Sequence, residues 1–162
     1  MSELTDLQER AGRLILGGTH PLYSHAASLR ADDLAVRSRA GSMLGELAER
    51  LDRAASALPL PVPTRDSPAT DALAARRRVR AVEARVRAAA DAVASLPAPI
   101  TDSSRRRPGE EEELLHRLLA CDVVLLECLE VLSRAEGADL ARVESGLDEL
   151  ERLLEHRRSL VL

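Results

Sequence analysis

Glu110 to Glu136 reads EEEELLHRLLACDVVLLECLEVLSRAE, and this stretch decides the fold. At about 100° per residue, His116, Glu127, Glu130 and Arg134 fall into one narrow polar stripe. Leu114, Leu118, Leu125, Leu129 and Leu132, with Val124, Leu126 and the cysteines at 121 and 128, cover most of the remaining circumference. A helix that is apolar nearly all round has to be enclosed by other helices. The rest of the chain is therefore expected to wrap this segment.

The composition restricts what can do the wrapping. The chain has 162 residues, a single-domain length with enough material for a core that needs no staples. It contains no Phe, no Trp and one Tyr, so the core must be Leu, Val and Ala. Strands favour β-branched and aromatic residues, whereas Leu and Ala suit helices packed along their length. The expectation is an all-α fold in one domain over 1–162: an antiparallel helical bundle of four long helices plus a short N-terminal helix.

Working outward from the central stretch, Glu136-Gly137-Ala138-Asp139 is a short turn, with Gly137 past one helix end and Asp139 as the next cap. The last helix carries Leu140, Val143, Leu147, Leu150 and Leu154 at 3,4 spacing, and Val161 continues that face. Upstream, 97–109 is an irregular Pro-containing linker. Before it, a helix over 69–96 has the seam Ala75, Val79, Val82, Val86, Ala89, Val93 and Leu96. The alternating prolines of 59–68 form a second, stiff linker. Before that, a long helix from Pro21 to Leu58 has the seam Leu22, Ala26, Leu29, Val36, Ala40, Met43, Leu47 and Leu51, interrupted once by Asp33. Gly41 and Gly45 within it each cost about 1 kcal/mol against Ala, which asks for a reason: close approach of another helix, or a bend. A short amphipathic helix over 3–16, with Leu4, Leu7, Ala11 and Leu14 on one face, is ended by Gly17-Gly18.

Charge is unevenly spread. Residues 64–108 hold ten Arg and five acids, while 109–162 hold six Arg and fourteen acids. The two segments are complementary within one molecule. Asp122 points into the apolar arc of the central helix, where a charge must be paired; its expected partner is an Arg of the 69–96 helix. Cys121 and Cys128 lie about 10 Å apart along one helix, too far for a disulfide, and are expected as reduced packing residues in a cytoplasmic protein. Glu113 and His116 make one Glu-x-x-His pair, whereas a di-iron bundle site needs two such pairs and two further glutamates. No metal, cofactor, phosphate-cradling Gly-rich loop or activated nucleophile is expected. The opening residues carry acids instead of a basic segment and an apolar run, so no secretory leader is expected, nor is membrane insertion.

Three functional classes follow. The first is a non-enzymatic protein-interaction or assembly module, an adaptor or homo-oligomer acting through coiled-coil-like helix-face contacts. Its interface would comprise Leu4, Leu7, Leu14, Leu22, Leu29, Val36, Gly41 and Gly45. The second is a nucleic-acid-associated protein using the face of Arg76, Arg77, Arg80 and Arg87. Net charge of −4 and near absence of aromatics count against it. The third is a small-ligand binder or enzyme centred on Asp122, which requires a pocket beside that carboxylate.

Overall fold

A computed structural model of the chain describes residues 26–60, 69–97, 110–135 and 139–161. Four helices account for nearly all of them: α1 (Ala26–Ala57), α2 (Ala69–Ala94), α3 (Glu110–Arg134) and α4 (Leu140–Val161), with no strand among the described residues. The short N-terminal helix expected over 3–16, and with it Leu4, Leu7, Leu14 and Leu22, lies outside the described residues, as do 61–68 and 98–109 of the two linkers. Leu29 falls within α1, but its side chain lies outside the described set.

The helix ends follow the sequence signals. Pro59 stands two residues past α1, where it cannot continue a helix. Asp139 caps α4: its Oδ1 accepts from the Arg142 amide at 3.1 Å and its carbonyl from the Val143 amide at 3.2 Å. Two α1 arginines reach the carbonyls that helix C-termini leave without partners. Arg37 Nη1 donates to the Leu96 carbonyl at 3.0 Å, and Arg50 Nη1 to the Ser133 carbonyl at 2.7 Å.

The helices stand at the corners of a square. α1 packs on α2 and α3, and α4 packs on α3 and α2, so α1 faces α4 across one diagonal and α2 faces α3 across the other. Directions follow from cross-helix bonds. Arg37 meets Leu96 while Asp52 meets Arg80, so α1 and α2 are antiparallel. Cys121 meets Leu153 while Cys128 meets Gly146, so α3 and α4 are antiparallel. Arg78 meets Glu144 while Arg85 meets Glu151, so α2 and α4 run parallel, and α1 and α3 must as well. The antiparallel neighbours expected throughout are thus confined to two hairpins. The chain crosses a diagonal between α2 and α3, as one long linker permits.

The core is the expected Leu, Val and Ala set. Val36, Ala40, Leu44, Leu47 and Leu51 of α1 meet Val82, Val86 and Val93 of α2, Leu125, Leu126, Leu129 and Leu132 of α3, and Val143, Leu147, Leu150 and Leu154 of α4. Each large side chain so enclosed contributes about 1.5–3 kcal/mol through removal from water. Val36, expected at a partner interface, is 1% exposed and belongs to this core. Gly41 and Gly45 do not mark a close approach, because a Cβ built on either meets nothing within 4 Å. The close approach lies instead at Gly146, where α4 presses on the Leu132 side chain of α3.

The expected enclosure of α3 is incomplete. A corner helix of a square bundle turns only part of its circumference inward, and α3 is apolar over more than that part. Val124 is 45% and Val131 52% exposed as a result.

Candidate functional site

Each of α1, α3 and α4 interrupts its apolar seam with one charge, and the three meet inside the bundle. Asp33, Asp122 and Arg157 are 4%, 1% and 0% exposed. Arg157 Nε donates to Asp122 Oδ1 at 2.6 Å, and its Nη2 makes a longer contact with Oδ2 at 3.5 Å. The same Nη2 crosses the diagonal to donate to Asp33 Oδ1. Asp33 Oδ2 pairs with Arg37 Nη2 at 3.1 Å, and Arg37 goes on to the Leu96 carbonyl just past α2. One polar chain therefore ties all four helices, with two acids balanced by two guanidiniums.

The partner of Asp122 is thus Arg157, not an arginine of the Arg-rich helix. Arg78, Arg80, Arg85 and Arg87 of α2 pair with other acids, whereas Arg157 of α4 reaches into the seam beside Asp122. Burial pushes the Asp122 carboxyl up to about 7, against the opposing pull of Arg157. For Arg157, burial would lower the pKa, but Asp122 and Asp33 outweigh it and keep the guanidinium charged. Such a network costs desolvation and joins α1, α3 and α4 at one level. Two of its nitrogens, Arg37 Nε and Arg157 Nη1, are buried without a hydrogen-bond partner among the described residues, and neither groove described below is lined by Asp122.

The Arg-rich face is largely engaged as well. Arg80 Nη1 and Arg87 Nη2 grip Glu83 at 2.6 and 2.9 Å and hold its carboxyl below the ordinary range. Arg80 also pairs with Asp52 of α1. Arg78 and Arg85 bind Glu144, Asp148 and Glu151 of α4, the expected pairing of the basic segment with the acidic one. Arg76 is half-buried and Arg77 exposed; neither has an acidic partner among the described residues.

The two cysteines are held as thiols. Burial pushes the Cys121 thiol up to about 11 and raises that of Cys128, so both are protonated at neutral pH. Their Sγ atoms donate to the Leu153 and Gly146 carbonyls. No cluster of His, Cys, Asp and Glu among the described residues could hold a metal ion. Glu113 is bound to Arg117, the i,i+4 neighbour on its own helix.

A smaller hollow of about 290 Å³ lies between α1 and α2 beside the exposed Leu34, and the outer face of the α3–α4 hairpin is open more widely. A groove of about 600 Å³ runs between Val124, Cys128 and Val131 on α3 and Gly146, Glu149 and Leu153 on α4. It continues past Val124 and Leu153 into a second hollow of about 480 Å³, bordered by Arg117, Ala120, His156 and Leu160. Gly146 matters here twice, since its missing side chain lets Leu132 in and leaves room above. Sequence reasoning gave Val124 to the enclosed surface of the central helix and did not single out Val131 or Gly146. Their signal was the apolar excess of α3, more than three neighbours in a square can cover. No helix among the described residues is long and apolar enough to cross a membrane. The chain matches no protein-family model, no curated protein and no solved structure.

Proposed function

We propose that this protein is a non-enzymatic interaction module whose α3–α4 groove receives an amphipathic helix. The carrying observation is the exposure of Val124 and Val131, seven residues apart on one helix face, over a continuous groove with an apolar floor. Side chains at that spacing with small residues beside them are how a helix-binding groove takes anchors at i, i+3/i+4 and i+7. Arg117, Arg142 and Arg152 on one hand and Glu127 and Glu149 on the other form a charged rim, which sets orientation more than affinity.

This moves the interface from the α1 face to the opposite hairpin, since Val36 lies in the core. The Arg-face reading is set aside because Arg80 and Arg87 already share Glu83. The Asp122 reading is set aside because Arg157 occupies that carboxylate. The test is photo-crosslinking in cells from a benzophenone side chain at position 131. Adducts with a second polypeptide are expected there, and Val124→Asp should remove them without altering helicity. Adducts no more abundant than those from the exposed Ser56 of α1 would sink the reading.

A further inference from the structure

We propose that the partner for this groove is a helix bearing two large apolar residues seven apart and an acidic residue one turn outside that pair, at the Arg142 end. This rests on the reading of the groove as a helix-binding face and names the chemistry of what it binds.

The apolar spacing comes from two seats. The Cys128 Sγ donates to the Gly146 carbonyl and the Cys121 Sγ to the Leu153 carbonyl. Each pair therefore lies at one level, and the two levels are seven residues apart on both helices. Seven residues are about two helical turns, or about 10 Å, so one face of a docked helix meets both levels. The Cys128–Gly146 level falls inside the hollow of about 600 Å³, between the exposed Val124 and Val131. Gly146 has no side chain there, which leaves the seat deep enough for a large anchor. The Cys121–Leu153 level falls inside the hollow of about 480 Å³, on the far side of Val124. Val124 stands between the seats as a ridge and requires a small residue opposite it.

The acid comes from an uncommitted guanidinium. Arg142 is exposed, lines the first hollow and stands four residues before Gly146, about 6 Å nearer the Val131 end. Asp139 bonds its backbone amide, and its side chain has no acidic partner among the described residues. Every other arginine and acid lining the two hollows is engaged. Arg152 pairs with Glu149, Arg117 with Glu113 and Asp148 with Arg85, and Glu127 has an interaction of its own. An incoming carboxylate thus gains a partner at the Arg142 end and meets an arginine already neutralised at the Arg117 end. A rim pair of this kind selects between partners more than it holds them.

Together these requirements define a partner surface. An acid faces Arg142, a large apolar residue one turn on fills the Gly146 seat, a small residue crosses Val124, and a second large apolar residue fills the Leu153 seat. The same surface read in reverse serves a helix running the other way. Along α4 the groove extends from Arg142 to Leu160, about 27 Å at helical rise, so a partner helix of about 18 residues covers it.

The experiment selects, on the full chain, from a display library of helices of about 18 residues, with leucines seven apart and Glu, Gln or Lys at the other outer positions. The expected winners carry Glu one turn outside the leucine pair, at one end only, and bind Val124→Asp at least tenfold more weakly. In a synthetic copy of a winner, exchanging that Glu for Lys should weaken binding to the wild-type chain about threefold or more. The same exchange should strengthen binding to Arg142→Glu by a similar factor, both read by fluorescence anisotropy at low salt. Arg142 lies exposed in the first turn of α4, where an acid suits the helix dipole, so Arg142→Glu should fold. Winners without a Glu preference, or a preference that Arg142→Glu leaves unchanged, overturn this inference and leave the groove as a helix-binding face. A purified chain with benzophenone at position 131 that links to itself, within or between copies, also overturns it, because the occupant is then this chain. A selection that yields no binder, or binders indifferent to Val124→Asp, overturns the inference and the functional reading together.

Discussion

A Cβ built on Gly146 lands 2.9 Å from Leu132 Cγ and closer still to its Cδ2, whereas on Gly41 or Gly45 it meets nothing within 4 Å. One methyl therefore has opposite effects at these positions. Leu132 is held in the core between α1, α3 and α4 and has little room to retreat. Overpacking of that kind costs about 1–3 kcal/mol, more than the gain of about 1 kcal/mol from replacing a helical Gly by Ala. Gly146→Ala should lower the urea midpoint. Gly41→Ala and Gly45→Ala should each raise stability by about 0.5–1 kcal/mol. A raised midpoint for Gly146→Ala would show that Leu132 can swing aside. The sequence drew the eye to the wrong glycines for a physical reason. A pair four apart resembles a packing motif, but only the face on which a glycine falls decides whether a neighbour comes near. Gly41 and Gly45 lie off the Val36–Leu51 seam, whereas Gly146 immediately precedes the seam residue Leu147.

Between elements, the bonds joining α2 and α4 repeat with a period of seven. Arg78 pairs with Glu144, and Arg85 seven residues on pairs with Glu151, itself seven after Glu144, with Asp148 between. Two parallel helices in heptad register present charges to each other in this way. The pairs are exposed, so each is weak singly and screened by salt. Glu144→Arg with Glu151→Arg should lower the melting temperature in low salt, and the loss should shrink in molar sodium chloride. Adding Arg78→Glu and Arg85→Glu should restore it, because the same rungs reform with reversed sign. A melting temperature that ignores salt, or a fourfold variant no better than the double, would mean that these rungs do not set the register. The composition showed which segments attract, with ten arginines in one and fourteen acids in the next. It could not show that the helices run parallel. That depends on the linker after α2 crossing the bundle, and the loop-length rule used for neighbours says nothing about which corner a long connection reaches.

For the whole molecule, the seams were legible and the charges within them only partly so. Asp33 and Asp122 stood out as interruptions. Arg157 did not, although it lies three residues after Leu154 and four before Val161, on the seam itself. An arginine is easily read as reaching out to solvent, and nothing in one sequence says that three helices each contribute one charge to the same level. The consequence is a stability that depends on pH in a direction opposite to that of exposed paired carboxylates. Burial holds the Asp122 carboxyl at about 7 in the folded chain, against about 3.9 when unfolded. Its protonated form is thus favoured by folding. The contribution is complete below the unfolded value, declines as pH rises from about 4 to about 7, and is absent above the folded value. Unfolding by urea at pH 5 and pH 8 should therefore show the wild-type chain gaining stability at pH 5 relative to Asp122→Asn, in which the Arg157 Nε keeps an acceptor but no proton is taken up. If the wild type and Asp122→Asn instead change in parallel between the two pH values, Asp122 stays ionised throughout. The guanidinium of Arg157 would then outweigh burial, and the network would be a fixed ionic clasp with no response to acid.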